Sequence, residues 1–216
     1  MKCDFHVHTH YSYDSTASAR EMVEAALKKG IDCLVIADHQ EIKGAFEAID
    51  YSQGKPLLII PGVEVKSKDG DILALNVKTI IPAKLSAGET IKKIKEAGGT
   101  VIIPHPFASL CRFKANLEDL ISQIDGIEVL NASAFGKGNR KAWDFAQKNN
   151  LPFTAGSDAH FPNLVGRVYL EIPGQNLSVE EVLAAIKEKK GKLGGKEADF
   201  FEKIIDHLKR NIAKVF

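Results

Sequence analysis

The sequence predicts an α/β domain of repeated β–α units around a parallel sheet, on three observations. Short runs rich in Val, Ile and Leu alternate with stretches of helical periodicity. Several runs lack polar alternation, as strands covered on both faces require. The 216 residues fit one unit, since domains run about 100–200 residues and α/β barrels about 200–250.

The strand runs, in order, are Lys2–His6, Cys33–Ala37, Leu57–Ile60, Ile72–Val77, Thr100–Ile103, Gly126–Leu130, Phe153–Ala155 and Val168–Ile172. Helices follow the pairs Ser18/Glu21, Ser86/Glu89 and Ser178/Glu181, whose hydroxyl and carboxylate are spaced to satisfy each other's orphan N–H groups. Gly30 and Gly98 suit left-handed C-caps of the first two, and a helix from about Lys137 stops near Asn149 or Asn150, ahead of Pro152. The pattern loosens around Gly191, Gly194 and Gly195. Phe201, Ile204, Ile205, Leu208, Ile212 and Val215 then recur at helical spacing, predicting a terminal amphipathic helix over 197–216 that docks with this stripe inward. No repeat or linker divides the chain, so residues 1–216 read as a single domain.

A 44% hydrophobic, 26% charged composition excludes disordered and fibrous classes. No apolar run approaches the ~18 residues of a membrane span, and the opening MKCDFHVHTH lacks a signal-peptide core, so a cytoplasmic protein without membrane partners is expected. Cys3, Cys33 and Cys111 form no Cys-x-x-Cys pattern and read as reduced, mostly buried thiols. With 29 basic against 28 acidic residues there is no broad footprint for nucleic acid, and any anion must be held locally. Nothing in the pattern specifies an oligomer.

Histidines and acids crowd the ends of the strand runs: His6-Val7-His8, Asp38-His39, Gly62-Val63-Glu64, Pro104-His105-Pro106 and Gly156-Ser157-Asp158-Ala159-His160. In a parallel β/α barrel all these ends open onto one face. Each element alone reads blandly as a hydrogen-bonding residue or turn cap. Five together would repel and resist desolvation without a cation, and imidazoles with carboxylates suit Zn²⁺, Mn²⁺ or Fe²⁺.

On DFHVHTHYSYDS at 4–15, IADH at 36–39, PGVEV at 61–65, PHP at 104–106 and GSDAH at 156–160, the sequence resembles the PHP (polymerase and histidinol phosphatase) family. The resemblance implies a distorted TIM-like (β/α)7 barrel with a centre of two or three divalent ions at the C-terminal ends of the strands. It implies one metal on His6, His8, Glu64 and Asp158, a second sharing Glu64 and using His105, and a third between Asp14, His39 and His160. Asp14 stands where some relatives have His, which favours Mn²⁺ or Fe²⁺ over Zn²⁺. Asp71 stands near where many relatives have a ligating His, and reads as a substitute carboxylate ligand or a plain turn acid. The short interval between Glu64 and His105 leaves no room for the insertion that caps the site in some relatives, so an open bowl is expected.

Asp38 reads either as orienting a ligating imidazole or as a turn cap. Arg112 and Arg140 are the phosphate candidates, because guanidinium grips phosphate oxygens bidentately. His10 and His207 read as non-ligands. The expected activity is a metal-dependent phosphoesterase, most simply a phosphomonoesterase on a small phosphorylated metabolite or nucleotide, with a metal-activated water held by Glu64 and Asp158. The rival readings are a nuclease acting on nucleic-acid ends and a non-catalytic metal-binding regulatory module.

Overall fold

The computed structural model describes residues 1–109, 112–135 and 137–214, with the backbone alone of Phe200. Cys111, Gly136 and Val215 therefore lie outside the described residues. Strands β1 (Lys2–Val7), β2 (Cys33–Ile36) and the first half of β3 (Leu58–Ser67) pair in parallel, with Cys33 opposite both Cys3 and Leu58. The chain then turns back: β4 (Gly70–Leu75) pairs antiparallel with the second half of β3, placing Leu73 opposite Glu64 and Asp71 opposite Lys66. β5 (Thr100–Ile103) is antiparallel to β4, and β6 (Gly126–Asn131) and β7 (Phe153–Gly156) continue in parallel.

Closure follows where the chain beyond β7 returns to β1. Val7 bridges Ala159, the His8 amide donates to the Ala159 carbonyl at 2.9 Å, and the Ser157 amide donates to the Asp4 carboxylate at 2.8 Å. The result is a distorted, nearly closed barrel with β4 running against its neighbours. The expectation of a wholly parallel sheet is corrected here. Because β4 is reversed, its start rather than its end meets the C-terminal face, which brings Asp71 there. β8 (Val168–Glu171) pairs antiparallel with the start of β1, and β9 (Lys192–Gly195) with β8. β9 was not expected, since Lys192-Leu193-Gly194-Gly195 offers neither alternation nor β-branching.

Helices α1 (Ala19–Lys28), α3 (Ala87–Glu96) and α5 (Val179–Lys187) each begin at the capping box read from the sequence, and Gly30 and Gly98 take φ of +65° and +76° beyond the first two. α2 (Lys43–Ser52) has no side-chain cap, and α4 is Gly138–Lys148. Met22, Val23, Ala45, Ile91 and Ile94 of the helices share an outer core with Leu34 and Ile36, while Phe5, Val35, Ile60, Leu73 and Ile102 fill a second core with free, buried Cys3 and Cys33. Val182 and Ile186 of α5 join that second core.

α6 (Phe200–Ala213) starts at an Asp199/Glu202 capping box but docks the opposite way to the expectation. Phe201, Ile205, Leu208 and Ile212 are 75, 52, 55 and 60% exposed, while Lys203 and Asp206 are buried. Among the described residues no helix is long and apolar enough to cross a membrane.

Candidate metal centre

Cys3 and Phe5 belong to the inner core, yet Val7 belongs to the outer one, and the β1–β2 register shifts between Asp4 and Val7. That irregularity changes the parity of the strand and turns His6 and His8 together into the mouth of the barrel, as bulges near active sites do. A second shift lies between Glu128 and Leu130 on β6, and buried Glu128 sits beside His6. Two other site residues carry positive φ, His105 at +30° between prolines and Asp158 at +52°. Non-glycine residues persist there only when packing over-determines them.

Glu64 is the hub. Its Oε2 lies 3.6 Å from His6 Nε2, 3.5 Å from His8 Nε2 and 2.7 Å from His39 Nδ1, and its Oε1 lies 3.3 Å from His105 Nε2. Asp158 Oδ1 is 3.4 Å from His8 Nε2 and 3.9 Å from His6 Nε2. Asp14 Oδ1 is 3.1 Å from His160 Nε2 and 3.4 Å from His39 Nε2. Three adjoining triads have donor atoms mutually within 4.8 Å: His8, His39 and His160; His6, His8 and Asp158; His6, Glu64 and His105. His6 and His8 are each shared by two of them.

The residues behind these donors fix their orientation. Glu128 Oε1 contacts His6 Nδ1 at 3.3 Å, while its Oε2 accepts from the His105 amide at 3.0 Å and from Asn131 Nδ2 at 2.9 Å. Ser12 Oγ contacts His8 Nδ1 at 3.0 Å and donates to Asp38 at 2.7 Å. Asp38 also accepts from the amide and hydroxyl of Thr9, at 2.6 and 2.7 Å. Asp38 therefore does not hold His39 through its second nitrogen. It acts on His8 through Ser12, because the hydroxyls of Thr9 and Ser12 reach it first. Asp4 accepts from Ser157 and Gly166, tying the closing loop down.

Charge is balanced tightly among these groups. Despite burial, the Glu64 carboxyl is held well below the usual range by His39, Lys66 and His6, and the Asp158 carboxyl by Arg210 and His6. Burial opposes it, but Glu64 and Asp14 raise His39 to about 9. His8 is lowered by burial and by neighbouring His160 and His39, whereas Asp158, Glu128 and Glu64 overcome burial to raise His6.

Divalent ions fit this donor set. Buried His6 Nε2, His8 Nε2, His39 Nδ1, His160 Nε2 and Asp14 Oδ1 lie beside one another or Glu64 without a well-directed hydrogen bond, although protein satisfies most buried polar atoms. Imidazole nitrogen with carboxylate oxygen is the chemistry of Mn²⁺, Fe²⁺ and Zn²⁺ sites.

Of three further expected contributors, one is engaged by a neighbouring cation and two stand outside the pocket. Asp71 lines the pocket, but its Oδ2 pairs with Lys66 Nζ at 2.9 Å across the β3–β4 hairpin, and it belongs to none of the three triads. Arg140 lies on the outer face of α4, 78% exposed and paired with Asp144, because it falls on the helix side away from the sheet. Arg112 lines an adjacent groove with Lys68 and Lys114 rather than the metal pocket. The cations lining the pocket are Lys66, Lys203, Arg210 and Lys214 among the described residues, the last three from α6 and its end. The open-bowl expectation is corrected by the same helix. Glu128 carried a readable signal, a lone acid in the apolar run Gly126–Leu130. Arg210 carried none, since a cation on an amphipathic helix reads as solvated.

The PHP-associated family matches residues 136–190. Of known proteins, the uncharacterized protein MJ0417 of Methanocaldococcus jannaschii is 30% identical over 206 residues, 89% of this chain and 82% of that protein. A second from that organism, MJ1587, is 37% identical over 143 residues, 61% of this chain and 82% of that one. A two-domain protein from Bacteroides vulgatus containing a predicted PHP-like metal-dependent phosphoesterase superposes with a TM-score of 0.76 at 16% identity, covering 97% of this chain and 69% of that one. Its likeness is one of fold, and the relatedness across nearly the whole sequence comes from the first. With that relatedness, a matching family segment and a distorted barrel carrying its histidines and acids at one mouth, the chain belongs to the PHP family.

Proposed function

We propose that the protein is a metal-dependent phosphoesterase, acting as a phosphomonoesterase on a small phosphorylated metabolite or nucleotide. The observation that carries this reading is the convergence of His6, His8, His39, His105 and His160 with Glu64, Asp158 and Asp14 in one buried cluster. His6, His8, Glu64 and Asp158 would hold one ion, Glu64 and His105 a second, and Asp14, His39 and His160 a third. Mn²⁺ or Fe²⁺ is favoured over Zn²⁺ by the carboxylate at position 14. Divalent ions bound there supply Lewis acidity toward phosphate oxygens and lower the pKa of water at the pocket.

The chain's own residues do the rest. Glu64 faces four imidazoles and would be shared between two ions, and Asp158 closes the set from the β7–β1 junction. Glu128 orients His6, and Asp38 through Ser12 orients His8. Lys66, held by Asp71, places positive charge in the pocket wall, so Asp71 acts through Lys66 rather than as a ligand. The pocket beneath α6 has a volume of about 150 Å³. That space suits a terminal phosphate with a small leaving group better than a nucleic-acid strand.

The deciding experiment loads the chain separately with Mn²⁺, Fe²⁺ and Zn²⁺ and measures phosphate release from a panel of monoesters and from single-stranded oligonucleotides. Release from monoesters alone is expected. Cleavage of oligonucleotides alone points to the nuclease reading, and a metal-replete but inactive protein points to a binding module.

A further inference from the structure

A helix docked for stability alone buries its apolar side, where each large side chain contributes roughly 1.5–3 kcal/mol, and leaves its charges in water. α6 does the reverse. Its Lys203 and Asp206 are buried and the Arg210 side chain is only 14% exposed, while the Phe201, Ile205, Leu208 and Ile212 side faces outward. The buried charges are held individually. Lys203 Nζ donates to the Ala134 carbonyl at 2.5 Å and pairs with Glu197 at 3.0 Å, and Arg167 pairs with Glu202 near the start of the helix. Arg210 Nη2 pairs with Asp206 at 2.7 Å and donates to Ser133 Oγ and the Asp158 carbonyl, both at 2.7 Å, while Nη1 lies 3.3 Å from Asp158 Oδ1. Its Nε is buried without a partner.

These contacts set one guanidinium, pinned on one side, against the carboxylate that closes the metal centre. Of the other pocket cations, Lys66 is engaged by Asp71, Lys203 by Ala134 and Glu197, and Lys214 is an exposed end residue bonded to Asn211. Among the described pocket cations, only Arg210 combines deep burial beside a site carboxylate with an unused N–H donor.

We infer that α6 is the roof of the active site and that Arg210 binds the substrate phosphate, with Asp206 and Ser133 as its positioning residues. The inference rests on the phosphoesterase reading, and it assigns to Arg210 the role that the sequence pointed to Arg112 and Arg140 for. Of this permanently charged fork, the N–H groups that the protein partners leave unused suit an oxygen of the bound phosphate.

The test uses full-length, Mn²⁺-saturated protein as wild type, Arg210→Ala and Arg210→Lys. It reads inorganic phosphate affinity by calorimetry, Mn²⁺ content, and the separate KM and kcat for a phosphomonoester. Loss of a charge-assisted hydrogen bond predicts phosphate binding weakened about tenfold to a hundredfold in Arg210→Ala, a parallel rise in KM, and wild-type Mn²⁺ content. Unchanged phosphate affinity overturns the assignment. If Arg210→Ala loses metal or fold, Arg210→Lys decides, since it keeps the charge beside Asp158. A drop of about tenfold with full Mn²⁺ supports the fork, and wild-type affinity overturns it. Wild type that binds phosphate through Arg210 yet hydrolyses no phosphoester keeps this inference and removes the phosphoesterase reading. Hydrolysis that is indifferent to Arg210 in KM and phosphate affinity does the opposite.

Discussion

Glu128 shows how much of a metal centre lies one bond behind its ligands. It is fully buried, contacts His6 Nδ1 at 3.3 Å and accepts from the His105 amide at 3.0 Å, so it orients two ligands at once. Glu128→Gln keeps the shape and removes the charge. We expect Mn²⁺ affinity to fall by about 10–100-fold, read by calorimetry, with little change in secondary structure by circular dichroism. His39 gives a second prediction, in pH. Its imidazole is raised from an ordinary 6.5 to about 9 in the metal-free protein, burial being outweighed by Glu64 and Asp14. A raised pKa means that the folded form binds the proton more tightly than the unfolded form. The resulting stability is fully present below pH 6.5 and lost as pH rises through 9, on the order of 3 kcal/mol. Urea unfolding of chelator-treated protein at pH 6.5 and 9 measures the loss. Mn²⁺ binding at pH 7.5 should also release the His39 proton, seen as a buffer-dependent binding enthalpy. That His6, His8, His39, Glu64, His105, Asp158 and His160 meet at one mouth was legible in the sequence, because imidazoles and carboxylates crowd the ends of its apolar runs. Arg112 and Arg140 were misplaced because sequence position says nothing about which side of a loop or helix meets the pocket.

Among the elements, the three capping boxes read from the sequence, Ser18/Glu21, Ser86/Glu89 and Ser178/Glu181, all form, being local, while the Asp199/Glu202 box of α6 was missed. Ser86→Ala should cost about 1 kcal/mol in chemical denaturation and leave metal content unchanged. The reversed strand β4 was illegible, since an apolar run carries no direction. The orientation of α6 was misread because its stripe has the spacing of a core face, while the bonds that hold its polar side come from Ala134, Ser133 and Asp158, remote in sequence. Leu208→Ser, on the 55% exposed side, should therefore change stability by no more than about 0.5 kcal/mol, whereas a core-facing leucine would lose about 2–5. The contact between β7 and β1 is a tight junction at the site. A Cβ on Gly156 would lie 2.5 Å from Glu128 Oε1 and press on the backbone of His6. Gly156→Ala should push His6 out of register and lower metal affinity more than Glu128→Gln does.

At the scale of the molecule, the barrel has one mouth at which residues from position 6 to 160 meet, and a divalent cation bound there would replace the imidazole protons that balance its carboxylates. Saturating Mn²⁺ should accordingly raise the unfolding midpoint, and a chelator should lower it, in proportion to the logarithm of free metal over Kd. The central claim is that this mouth is a metal centre that hydrolyses phosphate monoesters, and the most direct measurement is phosphate release from a monoester panel by Mn²⁺-loaded protein, chelated protein and Glu64→Gln. The account predicts release by the first, none after chelation, recovery on adding Mn²⁺ back, and loss in Glu64→Gln on every substrate. Equal release from chelated protein, or an unimpaired Glu64→Gln, would contradict it.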